Sequence, residues 1–206
     1  MSADAIPPMI SYRLVEWFVE AALQEVGADK LPAVLEENHL SPSVLEKNTL
    51  TRPDGGEAAQ IYALLQQALR LYYGRGARGI LLRIGQGMWE RMVAQAGLRL
   101  KTELEIARRL PVPARRRRIL DVVASQLREG GGVASVHTLD LDLLLVDSSS
   151  AATARQSSAE PICFATVGLI QAALGGATGQ DVDVEEIACK AAGAAACEFK
   201  VRPGGK

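Results

Sequence analysis

Apolar positions recur at helical spacing through the first two thirds of the chain. Over 11–26, Leu14, Phe18, Ala21 and Ala22 share one stripe with Val15 and Val26 beside it, and Gly27 follows as a stop. Asp29 is placed to cap a second, shorter helix to about Asn38, with Pro32 in the first turn, where proline is tolerated. Residues 41–56 carry two prolines and a Gly-Gly pair and read as a loop, with Pro53-Asp54-Gly55 as its turn. A strong amphipathic pattern over 57–73 predicts a third helix through Ala58, Ile61, Leu64, Leu65, Ala68 and Leu71. Further helices are expected over 79–96, 98–109 and 114–129, the last begun by Pro113.

The period changes at Gly130-Gly131-Gly132. Beyond it, 133–150 reads as two strands turning near Asp140 to Asp142, with His137 as a hydrogen-bonded residue of the first. Residues 150–160 are rich in Ser and Ala and read as a polar, mobile loop. A helix is expected over 162–174, ended by Gly175-Gly176. The stretch 182–202 is ambiguous. Its alanines favour helix, yet Val182 and Val184 alternate with acidic residues as a strand would.

Composition adds bounds. At 206 residues the chain is one domain, or one with an appendage, large enough to bury about 70% of the surface its unfolded form exposes. A hydrophobic content of 48% and a charged content of 23% are ordinary for a globular protein. A net charge of −1 gives no pull toward nucleic acid or membrane. No apolar run approaches the roughly 18 residues of a membrane span, and no secretory leader is recognised, so a cytoplasmic protein is expected. Arg115 to Arg118 form a basic run without interleaved aromatics, which reads as a solvated helix face paired to Asp121 or Glu129. Gly74, Gly76 and Gly79 spell G-x-G-x-x-G. They follow a helix where a dinucleotide fingerprint follows a strand, so the motif reads as a helix–helix corner. Gly85 and Gly87 weaken the next helix and serve either close packing or space beside a ligand.

The candidate chemistry lies between Pro161 and Val201. All three cysteines, Cys163, Cys189 and Cys197, fall there, and Glu186 completes a set of four donors suited to tetrahedral zinc. The bland alternative is that the cysteines are small buried hydrophobes among Ile162, Phe164, Ile187 and Phe199, since no close Cys-x2-Cys pair is present. In a regular strand Glu186 and Cys189 would face opposite ways, so a shared metal demands a bulge between them.

The pattern C-F-x3-G-L-I at 163–170, V-x-V-x-E-x2-C at 182–189 and x3-G-x3-C-E-F at 190–199 resembles the 4-vinyl reductase domain family. That family includes a bacteriochlorophyll-biosynthesis protein and the sensor domains of phenol-responsive regulators. The resemblance implies an α+β fold shared with vesicle-tethering subunits: a helical N-terminal half packed on a four-stranded antiparallel sheet of two hairpins, the second turning near Gly193. It implies a structural zinc on Cys163, Glu186, Cys189 and Cys197, with Lys190, Lys200 or backbone N–H groups offsetting the negative charge. It implies a helical, dimerising region over 1–56, a ligand- and zinc-binding region over 57–206, and a homodimer. Trp17, beside the main stripe of its helix, is the expected interface anchor. The function implied is binding of an apolar or aromatic small molecule, as a sensor or carrier. Tyr72, Tyr73 and Trp89 are the expected ligand residues, in a pocket between the helices of 57–96 and the sheet. The alternative implied is a bacteriochlorophyll-biosynthesis accessory, or a 4-vinyl reductase acting on a divinyl tetrapyrrole. No activated nucleophile or acid–base pair stands out to favour catalysis.

Overall fold

A computed structural model describes residues 6–45 and 54–203. Seven helices and four strands are found among them: α1 Tyr12–Val26, α2 Lys30–Glu37, α3 Gly55–Tyr73, α4 Ala77–Ala94, α5 Leu98–Arg108, α6 Val112–Leu127, β1 Ala134–Leu139, β2 Asp142–Asp147, α7 Phe164–Thr178, β3 Val182–Ala188 and β4 Cys197–Pro203. The strands form one antiparallel sheet in the order β1-β2-β4-β3, two hairpins joined through α7. The α+β class expected from the sequence is what the chain adopts.

Alternation sets the sheet's inner face. Val136, Leu145 and Phe199 face one another across three strands, and Val182, Val184 and Val201 continue the apolar surface. Helices α6 and α7 cover this face, α4 packs on α7, and α1 packs on α4. Two glycines allow that stacking. A Cβ on Gly85 of α4 would stand 2.0 Å from the Ala165 carbonyl oxygen, and one on Gly168 of α7 would stand 2.0 Å from that of Leu82. The backbones of α4 and α7 therefore touch, and Gly85 serves packing. Gly87 also faces protein, with a Cβ there 3.2 Å from the Ala21 methyl of α1.

Several local expectations need correction. Asp29 makes no side-chain cap, whereas Asp54, expected in a turn, caps α3 by accepting from Gly56 N–H at 2.8 Å. Of the loop expected over 41–56, residues 46–53 lie outside the described residues, and Pro42–Leu45 forms a short 3-10 turn. Helix α7 runs through Gly175-Gly176 to Thr178 and stops at Gly179, whose φ of +66° and N–H bond to Gly175 O close it. Residues 149–154 form no mobile polar loop. Ser149, Ser150 and Ala151 to Ala154 are buried, because side chains this small let the backbone lie against α3. Trp17 is also inside: it is 2% exposed, and its indole N–H donates to Gln95 Oε1 at 3.0 Å. The surface anchor expected there does not exist.

The arginine run is absorbed by the fold. Arg115 donates to the carbonyls of Arg108, Leu110 and Ala177, and Arg116 to Gln180. Arg117 bonds Asp121 and the Val136 carbonyl, and Arg118 pairs with Glu103. No described helix is long and apolar enough to cross a membrane.

Candidate metal centre and ligand cavities

The hairpin of β3 and β4 is where propensity and pattern conflict, and pattern wins. Val182, Val184 and Glu186 point inward while Asp183, Glu185 and Ile187 point out. A bulge then breaks the register: Glu186 pairs with Phe199, but Ala188 pairs with Glu198. This extra residue turns Cys189 to the side that Glu186 faces. The chain continues through the 3-10 turn Lys190–Ala192 and Gly193, whose φ of +93° suits glycine, to Cys197 at the start of β4. Cys163 comes from the residue just before α7, whose first turn α4 holds in place through Gly85.

These elements bring Cys163, Glu186, Cys189 and Cys197 together, with one donor atom from each lying within 4.8 Å of the others. The Sγ atoms of Cys163 and Cys197 are 3.6 Å apart and those of Cys197 and Cys189 4.0 Å. Tetrahedral zinc with Zn–S bonds near 2.3 Å would place sulfurs about 3.8 Å apart. All three cysteines are buried and free.

The protonation pattern shows what the pocket lacks. Burial pushes the Glu186 carboxyl up to about 8, against its hydrogen bonding to Cys163. Hydrogen bonding to Cys189 and Cys197, with burial added, raises the Cys163 thiol well above its usual value. For Cys197, contact with Cys163 pulls downward, but hydrogen bonding to Cys189 and burial prevail and push it up to about 12. Cys189 alone is lowered, because it accepts from Cys163 and Cys197. Four such groups ionise together only around a cation. Glu186 Oε2 accepts from Cys163 N–H at 2.8 Å, while Oε1 is buried without a hydrogen-bond partner. An orphaned carboxylate oxygen facing thiols fits a metal ligand.

The surroundings correct the expected source of compensating charge. Lys200 pairs with Asp142 at 3.0 Å and takes no part. Lys190 contributes its backbone N–H, 3.4 Å from Cys197 Sγ, while its ammonium binds the carbonyls of Ser148 and Ile6. Ser150 Oγ lies 3.6 Å from Cys163 Sγ, and Arg70 is within electrostatic reach of Cys163 and Cys189. Neither Ser150 nor Arg70 was legible beforehand, since neither shares a motif with the cysteines. Asp147 was missed too. It is 4% exposed, sits opposite Cys197 in the sheet, and accepts from Ser149 N–H and Oγ. Its burial outweighs those bonds and raises the carboxyl to about 6.

The three aromatic residues expected around a ligand are not gathered in one place. Trp89 borders a cavity of about 840 Å³ walled by Val93, Leu104, Ala107, Ile119 and Ala172, with Gln86, Glu90, Arg108 and Gln171 as polar groups. It opens between α4, α5, α6 and the C-terminal half of α7, and of the sheet only Val182 reaches it. Tyr72 and Tyr73 lie elsewhere, as an edge-to-face pair 4.9 Å apart at the end of α3, beneath the Lys30 ammonium. Tyr62 is core, edge-on to Phe18 at 5.0 Å.

Comparison with known proteins places this arrangement. The family model of the 4-vinyl reductase domain matches residues 145–203. No curated protein matches the chain. Among solved structures, an H-NOX protein from S. oneidensis in the Fe(II)NO ligation state superposes with a TM-score of 0.59 at 14% identity, covering 95% of this chain and 100% of that one. The phenol-responsive sensory domain of the transcription activator PoxR, solved with phenol, gives 0.53 at 14% identity over 70% of this chain and 73% of that one. At such identities these likenesses speak for the fold. Glu186, Cys189, Gly193, Cys197 and Phe199 on β3 and β4, with Cys163 ahead of α7, lie inside the matched segment, and the segment 145–203 belongs to the 4-vinyl reductase domain family, as its cysteine pattern implies.

Proposed function

We propose that the protein is a small-molecule-binding module of the sensor type, stabilised by one structural zinc ion on Cys163, Glu186, Cys189 and Cys197. The observation that carries the metal reading is the convergence of four donors from three elements, with sulfur spacings close to those of tetrahedral thiolate coordination. Four protein ligands leave no open position, so the ion's part is to tie α7, β3 and β4 together and not to activate water.

The ligand reading is supported by the Trp89 cavity. About 840 Å³ with mainly apolar walls and a few polar side chains suits an aromatic molecule. The presence of phenol in the PoxR sensory domain, a fold neighbour, agrees with this class of ligand. The test uses a Trp17→Phe variant, which leaves Trp89 as the one tryptophan. Titrated phenol should quench its fluorescence and raise the melting temperature as its concentration passes Kd. Unchanged emission and melting with phenol, and turnover of a divinyl tetrapyrrole with a reduced nicotinamide by the protein alone, would replace this reading with that of a reductase.

A further inference from the structure

The corner between α3 and α4 is basic on one side. Arg70 in the last turn of α3, Arg75 in the connecting turn and Arg78 in the first turn of α4 border a second cleft, of about 740 Å³. It is separate from the Trp89 cavity, with which it shares no lining residue. The opposite wall carries four acids, three of them already engaged. Asp183 and Glu185 both pair with Arg202, at 2.9 and 2.8 Å, and Glu186 belongs to the cysteine cluster. Glu160 is left at the rim against three arginines, which form no ion pair among the described residues.

Arg70 is the most telling of the three. Its Nη2 donates to Gln156 Oε1 at 3.0 Å, but its Nη1 is buried without an acceptor. A buried guanidinium N–H left unpaired marks a missing partner. Arg78 is held over the Phe164 ring at 5.7 Å, and Leu82, Val167 and Val184 supply apolar surface below it. Helix α4 starts here with neither a capping side chain nor an acidic residue in its first turn, so its positive end adds to the field. A Cβ on Gly74 or Gly76 would meet nothing within 4 Å, which leaves this stretch of backbone open to approach.

We propose that this cleft binds the oxyanion of a small amphiphilic molecule, a carboxylate or phosphate, on Arg70, Arg75 and Arg78, with the molecule's apolar body against Phe164 and Leu82. The G-x-G-x-x-G corner thus acts as an anion site at a helix–helix turn, without a dinucleotide fold. The site goes beyond the Trp89 reading and does not depend on it. Calorimetric titration of the metal-loaded chain with benzoate, phenyl phosphate and neutral benzamide tests it. Benzoate or phenyl phosphate should bind and benzamide should not, and whichever anion binds more tightly assigns the headgroup. Arg75→Gln and Arg78→Gln, both at exposed positions, should each weaken anion binding by about tenfold or more. Melting temperature, metal content and phenol quenching of Trp89 should stay as in the parent chain. Equal binding of benzamide and benzoate, unaltered affinity in both variants, or no heat from either anion would each overturn the proposal. Arg70→Lys separates the two tasks of that residue: loss of anion binding with retained metal supports the cleft, and loss of metal alone makes Arg70 a counter-charge of the cluster.

Discussion

Single residues decide the chemistry around the β3–β4 hairpin, and two of them make separable predictions. Cys189 is the donor whose thiolate the cluster already favours, and it sits just past the bulge. Cys189→Ser should bring zinc, measured by elemental analysis, from about one ion per chain to well below half. Full occupancy in the variant would remove Cys189 from the ligand set. Asp147 carries a different signature. Its pKa is about 6 in the folded chain against 3.8 for an exposed aspartate, so the folded state prefers the protonated form. Stability from this residue is fully present below about pH 4 and is lost as pH rises through 6, by about 3 kcal/mol for a two-unit shift. Asp147→Asn keeps the carbonyl that accepts from Ser149 and cannot ionise. Denaturant unfolding of both proteins between pH 4 and 7 should therefore show the parent falling relative to the variant, and parallel curves would exclude a buried carboxylate here.

Among the elements, α4 and α7 matter most for the site, because their contact fixes where Cys163 starts α7. Gly85→Ala and Gly168→Ala each place a methyl against a backbone oxygen that cannot step aside without moving a helix. Each should cost at least about 3 kcal/mol, read by chemical denaturation, and a change below about 1 kcal/mol would show that the helices slide freely. Most elements were legible from the sequence because their apolar stripes are long, as in α1 and α3, or alternate plainly, as in β1 and β2. What escaped has physical reasons. Gly175-Gly176 reads as a stop, but helix burial outweighs two glycine penalties until Gly179 supplies a left-handed turn. Ser149 to Ala154 reads as solvent-loving, and its small side chains instead permit close backbone packing. In β3, alanines near Cys189 argue for helix, while pairing with β4 on one side settles strand. The four donors were legible as a set because their spacing is a motif. Ser150, Arg70 and Asp147 approach through tertiary contacts that leave no periodic trace. Trp17 misled because its place beside a stripe says nothing of what α4 and α5 bring over it.

For the whole molecule, the metal proposal makes a claim about cooperativity. Strand β3 is an edge of the sheet, held on one side by β4 alone, and its bulged end has lost regular pairing. An ion joining Cys163, Glu186, Cys189 and Cys197 would close the chain over this end and link the edge strand to α7. The helical layers depend on it less, since α1, α3 and α4 form their core from Phe18, Leu69, Ile84 and Met92, away from the cluster. Chelation should therefore act unevenly. The melting temperature should fall by about 10 °C or more, as expected when roughly 4 kcal/mol is lost from a domain of this size. Amide exchange should speed up first across 182–203 and the start of α7, while α1 and α4 keep their protection. Zinc added back should restore both. Uniform acceleration throughout the chain would mean that the metal supports the global fold, and unchanged exchange and melting after complete removal would deny it a structural role.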